Sequence, residues 1–115
     1  MEHKIQTLTP WEIREAGLAK AEERVAAFAK RFEHTYLTID SDALDPAFAP
    51  GVSNPEFNGL APDELLSLAR VVANERMLGF DLVEVCPNYD SGVTSVAAAR
   101  IIFEVIAQVE RARSG

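Results

Sequence analysis

Thr35-Tyr36-Leu37-Thr38-Ile39-Asp40-Ser41-Asp42-Ala43-Leu44-Asp45-Pro46 decides how this chain folds. Its first five residues are β-branched, aromatic or aliphatic and read as a short strand, Thr35–Ile39. Acids, a serine and a proline end it abruptly. Residues 43–61 are rich in Pro, Gly and Asn and read as one long loop. From Pro62 to about Met77 the spacing predicts an amphipathic helix with Leu65, Leu68, Ala69 and Val72 on one face. Gly79 is expected to end it, and Phe80–Val85 reads as a second strand stopped by Pro87. Strand, helix, strand in this order is a βαβ crossover, expected to be right-handed with parallel strands.

Helices flank this unit. On the amino-terminal side a helix is predicted over 9–32, with Thr9 as cap, Pro10 at the first helical position and Glu12 reaching back. Its apolar stripe is Leu18, Ala21, Val25, Phe28 and Phe32. On the carboxyl-terminal side Val93 to Arg113 reads as a helix that is apolar nearly all round from Ala97 to Ile106, which predicts burial on more than one side. Two parallel strands do not make a stable open sheet, because parallel sheets are covered on both faces and need several strands. The chain therefore reads as part of a larger α/β domain.

The 115 residues permit one domain at most. Hydrophobic residues make up 48% and charged residues 25%, a globular composition. Eleven Lys and Arg stand against 18 Asp and Glu, for a net charge of −7, and without a basic cluster a nucleic-acid backbone is not an expected partner. No apolar run approaches a membrane span, and the opening MEHKIQTLTP lacks a signal-peptide core. The single cysteine excludes an internal disulfide and fits a reducing, cytoplasmic setting.

Chemistry concentrates at Asp40 and Asp42. A strand period of two places both on one face, roughly 7 Å apart along the chain, at the carboxyl end of a parallel strand where open α/β sheets put their ligands. Two converging carboxylates repel unless a cation lies between them or one is protonated. The plain reading is a pair of turn and cap residues. An EF-hand loop fails, because Leu44 and Asp45 stand where an oxygen ligand and glycine are needed. A phosphoryl-accepting aspartate lacks a downstream lysine, since Lys4, Lys20 and Lys30 all precede Asp40. A two-metal hydrolase is the third reading.

The stretch Tyr36–Gly51 resembles the S-x-D-x-D-x-x-D-P-x-x-x-P-G signature of the ureohydrolases, the family of arginase, agmatinase and formimidoylglutamase, with Thr38 in place of the usual Ser. The resemblance continues through Asn54-Pro55-Glu56, Gly59-Leu60, Phe80–Pro87, Tyr89-Asp90 and Thr94–Ala99, and covers nearly the whole chain. Asn58 stands where the family commonly has a second glycine, and Ala61 where it usually has threonine. The resemblance implies an arginase-like, three-layer α/β/α domain with a parallel sheet, of which this is a βαβ portion. It implies a binuclear Mn²⁺ centre in which Asp40 bridges both ions and Asp42 binds one, with Glu84 facing the substrate's guanidinium. It also implies a homo-oligomeric complete protein that hydrolyses a guanidino or amidino C–N bond. Tyr89–Ser95 and Val83–Val85 look most like agmatinases, which would place the parent protein in polyamine metabolism.

The family's G-G-D-H and D-A-H-x-D metal motifs do not occur here, and His3 and His34 lie in neither. Residues 1–115 are thus expected to be the carboxyl-terminal part of a ureohydrolase domain, inactive alone because two aspartates hold manganese weakly. The alternative is a non-catalytic half-domain that acts by associating with another chain through uncovered apolar surface. Asp45 is read as a turn residue, Asp90 as structural, and Cys86 as a buried structural thiol with no cation to lower its pKa.

Overall fold

A computed structural model describes residues 5–115; His3 lies outside them. The elements run α1 (Pro10–Ala16), α2 (Leu18–Ala29), β1 (Thr35–Asp40), α3 (Pro62–Val72), β2 (Met77–Val83) and α4 (Val93–Ser114). β1 and β2 pair in parallel across the α3 crossover, in the register Leu37 to Phe80, Thr38 to Asp81, Ile39 to Leu82 and Asp40 to Val83. The βαβ unit expected from the central stretch is present.

Alternation along the strands sorts the two sheet faces. Leu37, Ile39, Phe80 and Leu82 turn toward Leu65, Ala69 and Ala73 of the α3 segment and Ile101 and Val105 of α4, which together make the core. On the other face, Tyr36 and Thr38 both donate hydroxyl hydrogen bonds to the carboxylate of Asp81. α2 packs on α3, and α1 on α2. Both helices flanking β2 therefore cover one face, and the opposite face carries no layer of its own among the described residues.

Several boundaries differ from the sequence reading, among them the end of β2 at Val83 in place of Val85 and of α2 at Ala29 in place of residue 32. The helix predicted over 9–32 is two helices that break at Gly17, where φ is 98°, a conformation that favours glycine. Thr9 does cap α1 by accepting from the Glu12 N–H at 3.1 Å, while the Glu12 carboxylate lies 3.9 Å from Arg24 rather than reaching back. α3 ends at Val72, five residues early, because the Asn74 side chain accepts from the Arg76 N–H and turns the chain there. That releases Met77 to start β2, so Gly79 lies inside the strand opposite Tyr36 and does not end the helix.

α4 matches its predicted span, but it buries one face only, through Thr94, Ala98, Ile101 and Val105. Val96, Phe103 and Ile106 remain 71%, 66% and 55% exposed, so burial on a second side is absent among the described residues. Among those residues no helix is long and apolar enough to cross a membrane.

Candidate functional site at the carboxyl ends of the strands

β1 ends at Asp40 and the chain turns at once into a single 3₁₀ turn, Ser41–Ala43. Asp40 closes that turn by accepting the Asp42 N–H on Oδ1 at 2.8 Å. Asp40 and Asp42 are therefore brought together by a capped turn and not by strand alternation, which corrects the geometry expected from a period of two. Asp40 is exposed, whereas Asp42 is half-buried with its Oδ1 buried and unpartnered. Desolvation raises the Asp42 pKa first, followed by the charges of Asp40 and of Glu84, while the Asn54 N–H acts in the opposite direction. Asp40 pairs with Val83, so Glu84 leaves the adjacent strand end, and all three candidate acids gather at one end of the sheet.

Glu84 has φ of 66°, a left-handed conformation that costs free energy for a residue with a side chain. Its Oε2 accepts the Ser53 hydroxyl at 2.8 Å, and the Asn54 side-chain amide donates to Ser53 Oγ at 3.3 Å. The loop carrying Ser53 is pinned from beneath. Gly51 donates its N–H to Thr94 Oγ1 at 2.7 Å and accepts the Cys86 N–H at 2.8 Å. Thr94, 1% exposed, donates its hydroxyl to Asp90 Oδ2 at 2.6 Å. Gly51 is required by this close approach: a Cβ there would lie 2.7 Å from Asp90 Oδ2 and 2.9 Å from Thr94 Oγ1.

The acids read as structural behave as such. Asp45 accepts the N–H groups of Ala47 and Gly59, at 2.9 and 3.1 Å, and Asp90 those of Gly92 and Thr94, at 2.9 and 3.0 Å. The Ala47 N–H bond leads in lowering the Asp45 pKa, and the Thr94 hydroxyl leads for Asp90. Cys86 is free and half-buried, less enclosed than expected. His34 is exposed at the start of β1, beside Glu33. Sequence reasoning misses Ser53, because a serine in an irregular polar loop carries no periodicity or motif; only the fold brings it to Glu84.

Hard carboxylate oxygens suit Mn²⁺ or Mg²⁺, and the unpartnered Asp42 Oδ1 is an acceptor that a cation would satisfy. The fit is to part of a donor set: among the described residues no group of three or more His, Cys, Asp or Glu could hold a metal ion.

Comparison with known proteins agrees with this architecture. Residues 1–107 match the model of the arginase family. The chain is 47% identical over 72 residues to human mitochondrial guanidino acid hydrolase, covering 62% of this chain and 20% of that protein. It is 36% identical over 111 residues to proclavaminate amidinohydrolase of Streptomyces clavuligerus, covering 96% of this chain and 35% of the relative. The solved agmatine ureohydrolase of Thermoplasma volcanium superposes with a TM-score of 0.78 at 35% identity, over 88% of this chain and 33% of that one. The chain thus spans about a third or less of the length of these relatives. The relatives are amidino and guanidino hydrolases by name, and the fold is arginase-like. The chain belongs to the arginase family.

Proposed function

We propose that this chain is the carboxyl-terminal portion of a manganese-dependent hydrolase that cleaves a guanidino or amidino C–N bond and releases urea or its analogue, with an agmatinase-type substrate. The observation that carries the reading is the convergence of Asp40, Asp42 and Glu84 at adjacent parallel strand ends, one of them with a buried oxygen left without a donor. Asp40 and Asp42 would hold manganese. When bound, the metal supplies Lewis-acid activation of a water molecule. Glu84 accepts N–H bonds from the planar guanidinium, a charge-assisted contact that orients the carbon to be attacked. The remaining ligands come from polypeptide that this third of the domain does not contain, so the chain alone is inactive.

The test measures urea release from agmatine and arginine with Mn²⁺. The chain alone is expected to give none, and the chain mixed with a polypeptide matching the first two-thirds of the Streptomyces relative is expected to give some. Asp40→Asn should abolish the restored activity. Turnover by the chain alone would overturn the fragment reading; a stable but inactive assembly would overturn the catalytic one. A second reading, a non-catalytic partner domain, draws on the open α4 face and on an apolar hollow of about 260 Å³ lined by Val25, Leu37, Leu65 and Leu68. Size-exclusion chromatography with and without the complementary polypeptide, run beside the urea assay, separates the two, since only the catalytic reading couples association to urea.

A further inference from the structure

We infer that Ser53 is a positioning residue for Glu84: its hydroxyl fixes the plane of the carboxylate on which a monosubstituted guanidinium would dock. The inference rests on the reading of Glu84 as guanidinium acceptor and adds how that acceptor is aimed. A glutamate on an exposed strand end has three free torsions and would ordinarily sample many orientations. Here two constraints converge. The backbone is held at φ 66°, and Oε2 is held at 2.8 Å by Ser53 Oγ. The serine is itself oriented, because its oxygen accepts from the Asn54 amide and its hydrogen is thereby directed at Glu84.

Both ends of the contact are anchored within two residues. Gly51, two before Ser53, is bonded to Cys86, two after Glu84, and Gly51 is tied in turn to the buried Thr94. The Ser53–Glu84 separation is therefore constrained by the Gly51–Cys86 main-chain bond and the Gly51–Thr94 side-chain bond, and the hydroxyl selects one carboxylate orientation within it. Asn54, the next residue of the loop, also acts on Asp42, where its N–H favours the ionised carboxylate. With Oε2 engaged, Oε1 and the second lone pair of Oε2 remain as a fixed pair of acceptors, which fits two parallel N–H groups of one planar cation.

The 115-residue chain tests this directly, by carbon-detected NMR of the Glu84 carboxyl titrated with methylguanidinium. In the unaltered chain Glu84 should occupy one dominant rotamer and its carboxyl resonance should move on titration, a response that Glu84→Gln removes. Ser53→Ala should leave the amide spectrum of the core unchanged, spread Glu84 over several rotamers and weaken methylguanidinium binding about fivefold, the effect of one ordinary hydrogen bond. Ser53→Thr, which keeps the hydroxyl, should restore both. A Glu84 rotamer distribution unmoved by Ser53→Ala overturns the inference. If Ser53→Ala frees the carboxylate but methylguanidinium never perturbs Glu84 in any variant, the positioning contact stands and the guanidinium reading falls.

Discussion

Asp90 and Asp42 lie near the same strand ends, yet their carboxylates live in opposite surroundings. Asp90 receives the Thr94 hydroxyl and the N–H groups of Thr94 and Gly92, and its pKa falls. Asp42 has a buried oxygen with no donor and two acids for neighbours, and its pKa rises. A carboxylate that serves the fold is given donors by the backbone around it. One left short of donors beside like charges burdens the fold, and such a group is a candidate for work that a ligand completes.

The contrast is most severely tested by crowding the satisfied side. Gly51→Ala would drive a methyl group to 2.7 Å from Asp90 Oδ2 and 2.8 Å from its Cγ. Asp90 and Thr94 can yield only by giving up the bonds that cap α4 and hold the loop, so a loss of about 3 kcal/mol is expected in urea denaturation. Thr94→Val is the next largest. It keeps the shape of a buried side chain but removes an acceptor of the Gly51 N–H and the hydroxyl donor to Asp90, which costs about 1.5 kcal/mol, the range of a lost buried hydrogen bond. Equal stability of the Thr94→Val variant and the unaltered chain would mean that Asp90 and Gly51 find each other without the threonine.

Acid denaturation sharpens the comparison from another side. Asp45, Glu64 and Asp90 all have pKa values lowered in the folded chain, led by the Ala47 N–H, the Ala61 N–H and the Thr94 hydroxyl respectively. A lowered carboxyl pKa gives stability that is fully present above the unfolded value and is lost as pH falls through the folded one. Stability should therefore hold from neutral pH down to about pH 4 and fall steeply below it. Asp45→Asn should flatten that fall, because it removes one of the titrations; an unchanged acid limb would place the loss elsewhere.

How much of this is legible in the sequence follows from the range of each signal. The β1–α3–β2 unit is readable because strand runs, a Pro-started helix and terminators are local. The ends of α3 and β2 are not, since Asn74 makes its turn through a side-chain bond that propensity does not register. Gly17 is hard to read as a break because a capped start at Thr9 and an apolar stripe from Leu18 onward flank it with no proline or turn cluster between them. The acids Asp40, Asp42 and Glu84 are nameable from motif, but their geometry is not: a 3₁₀ turn, rather than the pleat, sets the aspartates side by side. Ser53 is invisible because its partner lies 31 residues away across an irregular loop. The open face of α4 exposes the limit of periodicity: it marks which residues are apolar and leaves unstated what covers them.

The smallest expected effect has the most informative sign. Asp42→Asn replaces a carboxylate by an amide of the same shape. Because the folded pKa of Asp42 is raised, the folded chain binds the proton more tightly than the unfolded one, and the stability this group contributes is present in acid and lost as pH rises through the folded value. At neutral pH the ionised carboxylate therefore opposes folding, and the asparagine should raise the melting temperature by a few degrees. Below about pH 4, where Asp42 is itself neutral, the advantage should vanish. Asp90→Asn should show the reverse pattern, with a deficit at neutral pH that closes in acid. If Asp42→Asn destabilises the chain at neutral pH, then Asp42 has donors that balance its burial and the division between the two acids collapses. If it stabilises, the fold carries Asp42 at a cost, and that cost is what a bound cation between Asp40 and Asp42 would offset.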